Sequence, residues 1–189
     1  METGITIEDP DYLFSSAVAG GNPNVLVYLF DQGYEMPGNE YHEDIYDSLT
    51  DVIGEEGNGR IEDGVRMFEM LREKGLNMSE MSESGWHYGH QAVRNYSPSS
   101  VMTYIEEERT SQVNALRLRF VKRVVDEVLA AGIDIDQPYD GVTMLMNAAE
   151  GAHADVLRYL LYLGADATLK DDSGQTALDI AAGRGRGMI

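Results

Sequence analysis

The chain contains no cysteine, and this absence excludes several kinds of chemistry. Disulfide bonds, thiolate nucleophiles and cysteine-based zinc sites all require the missing sulfur atoms. The absence of cysteine does not by itself indicate a cellular compartment.

Long apolar runs are also missing. The longest ones fall well short of the roughly 20 residues that span a membrane. Residues 1–14 carry acidic side chains where a secretory signal needs basic ones followed by an apolar block. We therefore expect a soluble, cytoplasmic protein that has no contact with a membrane.

Basic residues are scarce. The chain has 14 lysines and arginines against 33 aspartates and glutamates, which gives a formal net charge of −19. Such a charge repels nucleic acids and anionic membranes and attracts a basic protein partner. It also keeps a protein soluble, so partner binding and simple solubility both remain open explanations. Acidic residues are concentrated in residues 35–63, where Arg60 is the one basic residue.

Two copies of one pattern stand 33 residues apart near the C-terminus. The first copy starts at Gly141 and reads GVTMLMNAA, and the second starts at Gly174 and reads GQTALDIAA. Between them, apolar residues recur at helical spacing from Val156 to Leu163, and Gly164 follows where a helix end tolerates a positive φ. The pattern predicts two short helices, a closing glycine and an Asp-rich projecting turn.

The 33-residue period and this order of elements resemble the ankyrin-repeat family. The resemblance implies an all-α solenoid of about four helix-pair repeats plus a C-terminal half repeat, with an insertion in the third repeat. In the third repeat we expect a helix over 85–93, an insertion over 98–109 and a long helix from about residue 113. The predicted units are 1–36, 37–79 (irregular), 80–136 (with the insertion), 137–169 and 170–189 (half-repeat cap and tail).

The family signature Thr-Pro-Leu-His is incomplete in this chain. Thr143 and Thr176 match its threonine, and the resemblance implies that they are scaffold residues. Met146 replaces the signature histidine of the fourth repeat, which predicts that its hydrogen bond is lost there. The third repeat matches more distantly, at residues 86–89. His153 matches a second histidine of the family motif and is expected to be structural.

Function in ankyrin-like proteins lies on the projecting turns, called fingers, and on the exposed side of each first helix. The resemblance therefore implies a non-enzymatic protein-binding module, with no catalytic, cofactor or metal residue. The chain resembles small bacterial immunity proteins, and this resemblance suggests an inhibitor that blocks a basic partner such as a toxin. The alternative is an adaptor that tethers a cellular or host protein. The residues expected to contact the partner are Tyr41, Asp44, Tyr46, Trp86, Tyr88, Tyr139, Asp140, Met144, Asp171 and Asp172.

Two further interpretations concern charged and titratable residues. His87 and His90 stand three residues apart on a probable helix, so a metal-dependent hydrolase is a third alternative, although no recognised ligand spacing supports it. We expect His87 or His90 to cover the solvent side of that helix. The basic run 117–123 is expected to pair with Glu106, Glu107 and Glu108, or with the acidic second repeat, rather than with a nucleic acid.

Overall fold

The computed structural model describes residues 10–38, 41–54, 61–79, 86–96 and 107–186. Within these ranges it contains nine α-helices and no strand, and Tyr139 and Val142 form an isolated β-bridge. The expected all-α class is confirmed. The helices are α1 (Pro10–Ala19), α2 (Pro23–Asp31), α3 (His42–Gly54), α4 (Ile61–Glu73), α5 (Tyr88–Arg94), α6 (Glu107–Ala130), α7 (Met144–Glu150), α8 (Ala154–Leu163) and α9 (Ala177–Arg186). They divide into two compact units, residues 1–77 and 78–189.

The first unit consists of two helix pairs. Helix α1 packs on α2 and α3, and α4 packs on α2 and α3. Its core includes the fully buried side chains of Phe14, Leu26, Leu49 and Phe68. Apolar residues three or four positions apart on each helix form one face, so burial of that face drives the pairing.

His42 joins two loops of the first unit. Its Nδ1 accepts a hydrogen bond of 3.0 Å from the Asn77 backbone N–H. Because Nδ1 is the acceptor, Nε2 carries the proton and donates to the Pro37 carbonyl at 3.1 Å. Both ring nitrogens of this buried histidine are therefore satisfied by backbone groups, which makes His42 a structural residue.

The second unit contains the row of short helices α5, α7 and α9, in which α7 packs against both of the others. Helix α6 packs on α5, α8 packs on α7, and α6 and α8 pack on each other. The core between them contains Val93, Val124, Ala148 and Leu160, all of which are fully buried. Small residues such as Ala148 let neighbouring helices approach closely.

The third repeat differs from its predicted boundaries. Helix α5 is a seven-residue helix over Tyr88–Arg94, shorter than the predicted 85–93 at its start. Helix α6 begins at Glu107, earlier than the predicted residue 113, and runs unbroken to Ala130. Most of the predicted insertion, residues 98–109, lies outside the described residues, because residues 97–106 are not described. The number of repeats and the insertion stay predictions, as do the unit boundaries.

The basic run, residues 117–123, lies on α6 and contacts residues that the sequence did not suggest as partners. Arg123 forms an ion pair of 2.8 Å with Glu127, one turn further along the same helix. The Lys122 ammonium lies 4.8 Å from the centre of the Tyr159 ring on α8, and Arg117 is buried. Of the predicted partners, Glu106 lies outside the described residues, as do the side chains of Glu107 and Glu108.

Gly164 ends α8 in the left-handed conformation, with φ +100°. No atom lies within 4 Å of a Cβ built on it, so Gly164→Ala introduces backbone strain without a clash. We expect the free energy of unfolding to fall by about 1–2 kcal/mol, measured by urea denaturation. Gly183→Ala, at an equally open position of α9 without positive φ, should be neutral or stabilising by up to about 1 kcal/mol. Equal destabilisation by both substitutions would contradict this account.

Candidate functional site

The finger before α7 is a tight two-residue turn. Tyr139 and Val142 form a β-bridge in which each backbone N–H donates to the other's carbonyl at 2.9 Å. Asp140 and Gly141 form the tip, with φ +48° and +76°. Positive φ at both central residues is typical of a type I′ turn, which Asp-Gly favours. The turn presents Asp140 to solvent.

The finger before α9 is held by Asp171. Its Oδ1 accepts hydrogen bonds from the backbone N–H groups of Ser173 at 2.9 Å and Gln175 at 2.8 Å. The Asp171 backbone N–H donates to the Gln175 carbonyl at 2.9 Å, which closes the loop. An aspartate used in this way stabilises the turn, so Asp171 has a structural role in addition to its predicted place on the binding surface.

Other aspartates connect the fingers to each other. The Asp166 backbone N–H donates to Asp136 Oδ1 at 2.9 Å, across 30 residues of sequence. Asp134 accepts from the Asp136 N–H at 3.0 Å. Asp166 in turn accepts from the backbone N–H and hydroxyl of Thr168, and these two hydrogen bonds lower the pKa of the Asp166 carboxyl. These carboxylates are therefore committed to the shape of the fingers.

Asp140 and Asp172 are different, because both are exposed and neither accepts a hydrogen bond nor forms an ion pair with any described residue. The Asp172 carboxylate lies directly beside Gly141: a Cβ built there would be 2.7 Å from the carboxylate carbon. Adjacent fingers thus bring Asp172 next to the Asp140–Gly141 turn. We call Tyr139, Asp140 and Asp172 the acidic finger tip. Tyr139 is half-buried, with its ring centre 6.0 Å from that of His90.

Side-chain caps at the starts of α7 and α9 hold the ends of the fingers that precede these helices. Thr143 Oγ1 accepts from the Met146 N–H at 3.3 Å, and the Thr143 N–H in turn points to Met146 Sδ at 3.5 Å. The sequence predicted that the contact at Met146 is lost, but the thioether takes the place of the imidazole as a weak acceptor. At α9, Asp179 accepts from both the N–H and the hydroxyl of Thr176. Each helix start is a reciprocal cap.

The same arrangement shows that the signature match predicted at residues 86–89 is one residue off. His87, not Trp86, is the N-cap of α5, and its Nδ1 accepts from the Gly89 N–H at 3.1 Å. His87 therefore stands where Thr143 stands, and His90 occupies the position of Met146. Gly89, between the two histidines, has no room for a side chain, because an added Cβ would lie 2.8 Å from the Met144 sulfur.

His87 and His90 are buried, with ring centres 4.1 Å apart, so the expectation that one of them covers the solvent side of the helix is wrong. Burial and, to a smaller extent, the neighbouring His90 lower the pKa of His87 to about 3. Burial lowers the pKa of His90 to about 4, although the backbone carbonyl groups of Gln137 and Val142 oppose that shift. Both rings are neutral at pH 7, inside the packing of the helices.

Three of the residues predicted to contact a partner belong to the core. Tyr46, Tyr88 and Met144 are fully buried, so the prediction that they are exposed is wrong; each stands on the apolar face of its helix. Trp86 is half-buried, with its ring edge-on to Tyr88 at 5.3 Å. In the first unit, Tyr41 is half-buried and Asp44 is exposed. Their role in binding stays a prediction.

His153, expected to be structural, packs edge-on against the ring of Tyr96 at 4.9 Å. Burial lowers the pKa of the His153 imidazole. Over the part of the chain that the structure describes, no three His, Asp or Glu side chains are grouped as metal ligands. Nor do those residues include a helix long and apolar enough to cross a membrane.

Comparison with known proteins supports the resemblance for the second unit. The family described as "Ankyrin repeats (many copies)" matches residues 128–181. The chain is 30% identical over 112 residues to "Ankyrin repeat, SAM and basic leucine zipper domain-containing protein 1" of Pongo abelii, an alignment covering 59% of this chain and 23% of that protein. It is 40% identical over 63 residues to "Ankyrin repeat and KH domain-containing protein mask-1" of Caenorhabditis elegans, covering 33% of this chain and 2% of that protein. The chain thus spans less than a quarter of either relative.

Proposed function

We propose that this chain binds a basic segment of a partner protein on the acidic finger tip. Ankyrin repeats, which residues 128–181 match, indicate a protein–protein interaction module. The observation that carries the proposal is the pair of exposed carboxylates, Asp140 and Asp172, which adjacent fingers bring together without a neutralising partner among the described residues. A lysine or arginine of a partner would supply the missing positive charge and gain charge-assisted hydrogen bonds.

The fingers suit this role because their own hydrogen bonds make them rigid. Asp136 and Asp171 hold the loops in place, so the two free carboxylates are positioned before a partner arrives. A preorganised surface loses less conformational entropy on binding than a mobile one. Tyr139, the half-buried aromatic residue of the acidic finger tip, adds an aromatic contact of the kind that contributes strongly to interfaces.

The finer proposal is that binding inhibits the partner, as an immunity protein inhibits a basic toxin. The net charge of −19 supports fast capture, because long-range attraction raises association rates for an oppositely charged protein. An adaptor role is the second candidate. It is favoured by the relatives, in which, by their names, ankyrin repeats are joined to other domains.

Replacing both free carboxylates with asparagine tests the proposal. Asparagine keeps the shape of aspartate and tolerates the positive φ at position 140, so Asp140→Asn with Asp172→Asn removes charge without altering the turn. We expect the affinity for the partner to fall roughly tenfold or more at low salt. The measurement is capture from lysate of the source cells at low and moderate salt, with bound proteins identified by mass spectrometry.

Asp31→Asn with Asp155→Asn is the matched control, because it makes the same change of charge at exposed helix positions. A basic protein retained by the wild type and the control, and lost with the Asp140/Asp172 variant, supports the proposal. If both double variants lose the basic protein equally, overall charge and not the acidic finger tip explains its binding. If the wild type and both variants all retain the basic protein, the acidic finger tip is not its binding site.

A further inference from the structure

The Asp172 carboxylate occupies the space that a side chain at position 141 would fill. A Cβ built on Gly141 would lie 2.7 Å from the carboxylate carbon and from Oδ1 of Asp172, and 2.9 Å from its Oδ2. These distances are well below the roughly 3.5–4.0 Å at which non-bonded carbon atoms pack. The carboxylate of one finger can therefore lie against the turn of the other finger only because residue 141 has no side chain.

The equivalent glycine of the next finger has no such neighbour. Gly174 stands at the same position of the repeat as Gly141 and has the same φ, +76°. Among the described residues, no atom beyond its chain neighbours lies within 4 Å of a Cβ built on Gly174. The positive φ explains glycine at both positions, because residues with a Cβ rarely adopt it. The close contact with Asp172 is an additional property of Gly141.

Hydrogen bonds of the backbone and of two aspartates fix where Asp172 lies. Within its own finger, Asp171 Oδ1 accepts from the Ser173 N–H at 2.9 Å, so the residues on both sides of Asp172 are held. The hydrogen bond of 2.9 Å from the Asp166 N–H to Asp136 Oδ1 joins the loops that lead into the two fingers. The fold therefore places the Asp172 carboxylate against the neighbouring turn before any partner binds.

We propose that Gly141 is a positioning residue of the acidic finger tip, and that it places Asp172 beside Asp140 so that one arginine of the partner contacts both carboxylates. Consecutive Cα atoms are about 3.8 Å apart, so a carboxylate that lies against Gly141 is next to Asp140. A guanidinium group has five N–H donors in a planar fork and can bind two carboxylates at once, whereas an ammonium group is a compact point charge. This inference rests on the function proposed above and specifies the basic group that the site takes.

Gly141→Ala and Gly174→Ala form a matched pair that separates the position of Asp172 from backbone strain. Both add a Cβ at φ +76°, so both should lower the urea midpoint of unfolding by a similar amount. The Asp172 side chain is exposed and can rotate away from the new Cβ, so Gly141→Ala displaces its carboxylate without further loss of stability. Gly141→Asn is a second variant, because asparagine tolerates positive φ and adds the same Cβ with less strain.

Binding of N-acetyl-arginine amide, followed by the NMR shifts of the backbone amides of residues 139–142 and 172, measures the consequence without a partner protein. We expect its dissociation constant to rise roughly threefold, the effect of losing one exposed ion pair, in Gly141→Ala and Gly141→Asn, and to stay unchanged in Gly174→Ala. Asp172→Asn should weaken binding further in the Gly174→Ala background only, because in Gly141→Ala the carboxylate has already been displaced.

Three results would overturn the inference: no binding of the arginine amide by the wild type, equal weakening by Gly141→Ala and Gly174→Ala, or equal affinity of the wild type for N-acetyl-lysine amide, which carries the same charge. The proposed function fails separately. If the variants behave as expected towards the arginine amide but the wild type captures no basic protein from the lysate, Gly141 positions Asp172 and the site has another role.

Discussion

Replacing Leu160 with alanine is expected to lower the free energy of unfolding by about 2–5 kcal/mol. Leu160 is fully buried on α8, so truncation removes apolar contacts and leaves a cavity in the second unit. The adjacent Leu161 is 47% exposed, although both leucines belong to the apolar series 156–163 from which the sequence predicts this helix. Leu161→Ala should therefore cost less than about 1 kcal/mol. Urea denaturation monitored by circular dichroism measures both values.

Comparing Leu160→Ala with Leu161→Ala isolates the effect of burial. Both substitutions remove the same atoms from the same helix, so differences in helix propensity cancel. A cost for Leu161→Ala as large as that for Leu160→Ala would mean that the outer side of α8 is covered in solution. The described residues place no cover there, and such a result would point to an additional contact at this helix.

The stability of the protein is expected to fall as the pH is lowered from 6.5 towards 4. His87 and His90 have pKa values of about 3 and about 4 in the folded protein, because burial disfavours their charged forms. In the unfolded chain both titrate near 6.5. Between these values the unfolded state binds more protons, so acid shifts the equilibrium towards unfolding. At pH 5 the expected loss is about 2 kcal/mol for each histidine.

Denaturant unfolding at a series of pH values between 7 and 5 measures this loss. In that range most carboxylates stay ionised, so the histidines dominate the change. Asparagine at position 87 can still cap α5, and His87→Asn with His90→Asn should flatten the dependence to the part contributed by His153, whose pKa is also lowered. An unchanged slope in the double variant would show that other groups carry the effect.

Local rules were sufficient for most of the helices of the second unit. The spacing of Val156 and Leu160 and the position of Gly164 predicted α8 and its left-handed end, and Thr143 marked the start of α7. These features depend on residues within one or two turns of each other. The Asp140-Gly141 pair also signals a tight turn, a local indication that could have shown the finger tip in more detail.

Sequence reasoning was less successful where helix starts vary. The signature match in the third repeat is one residue off because histidine replaces threonine as the cap, and a family signature does not reveal that substitution. The position in the repeat predicts a partner-binding role for the aromatic residues next to the fingers and leaves open that some of them fill the stack. Tyr46 and Tyr88 are instead in the core, because the side of a short helix that faces its neighbours depends on the helices packed against it.

The class of fold, the repeat in the second unit and the excess of negative charge follow from local spacing and composition, so they can be predicted from the amino-acid sequence. Which carboxylates remain free depends on the tertiary structure. Asp136 reaches Asp166 across 30 residues, and Asp172 lies beside Gly141 on the neighbouring finger. Whether an aspartate holds a loop or faces a partner depends on backbone groups distant in sequence, and only folding brings those groups within hydrogen-bond distance.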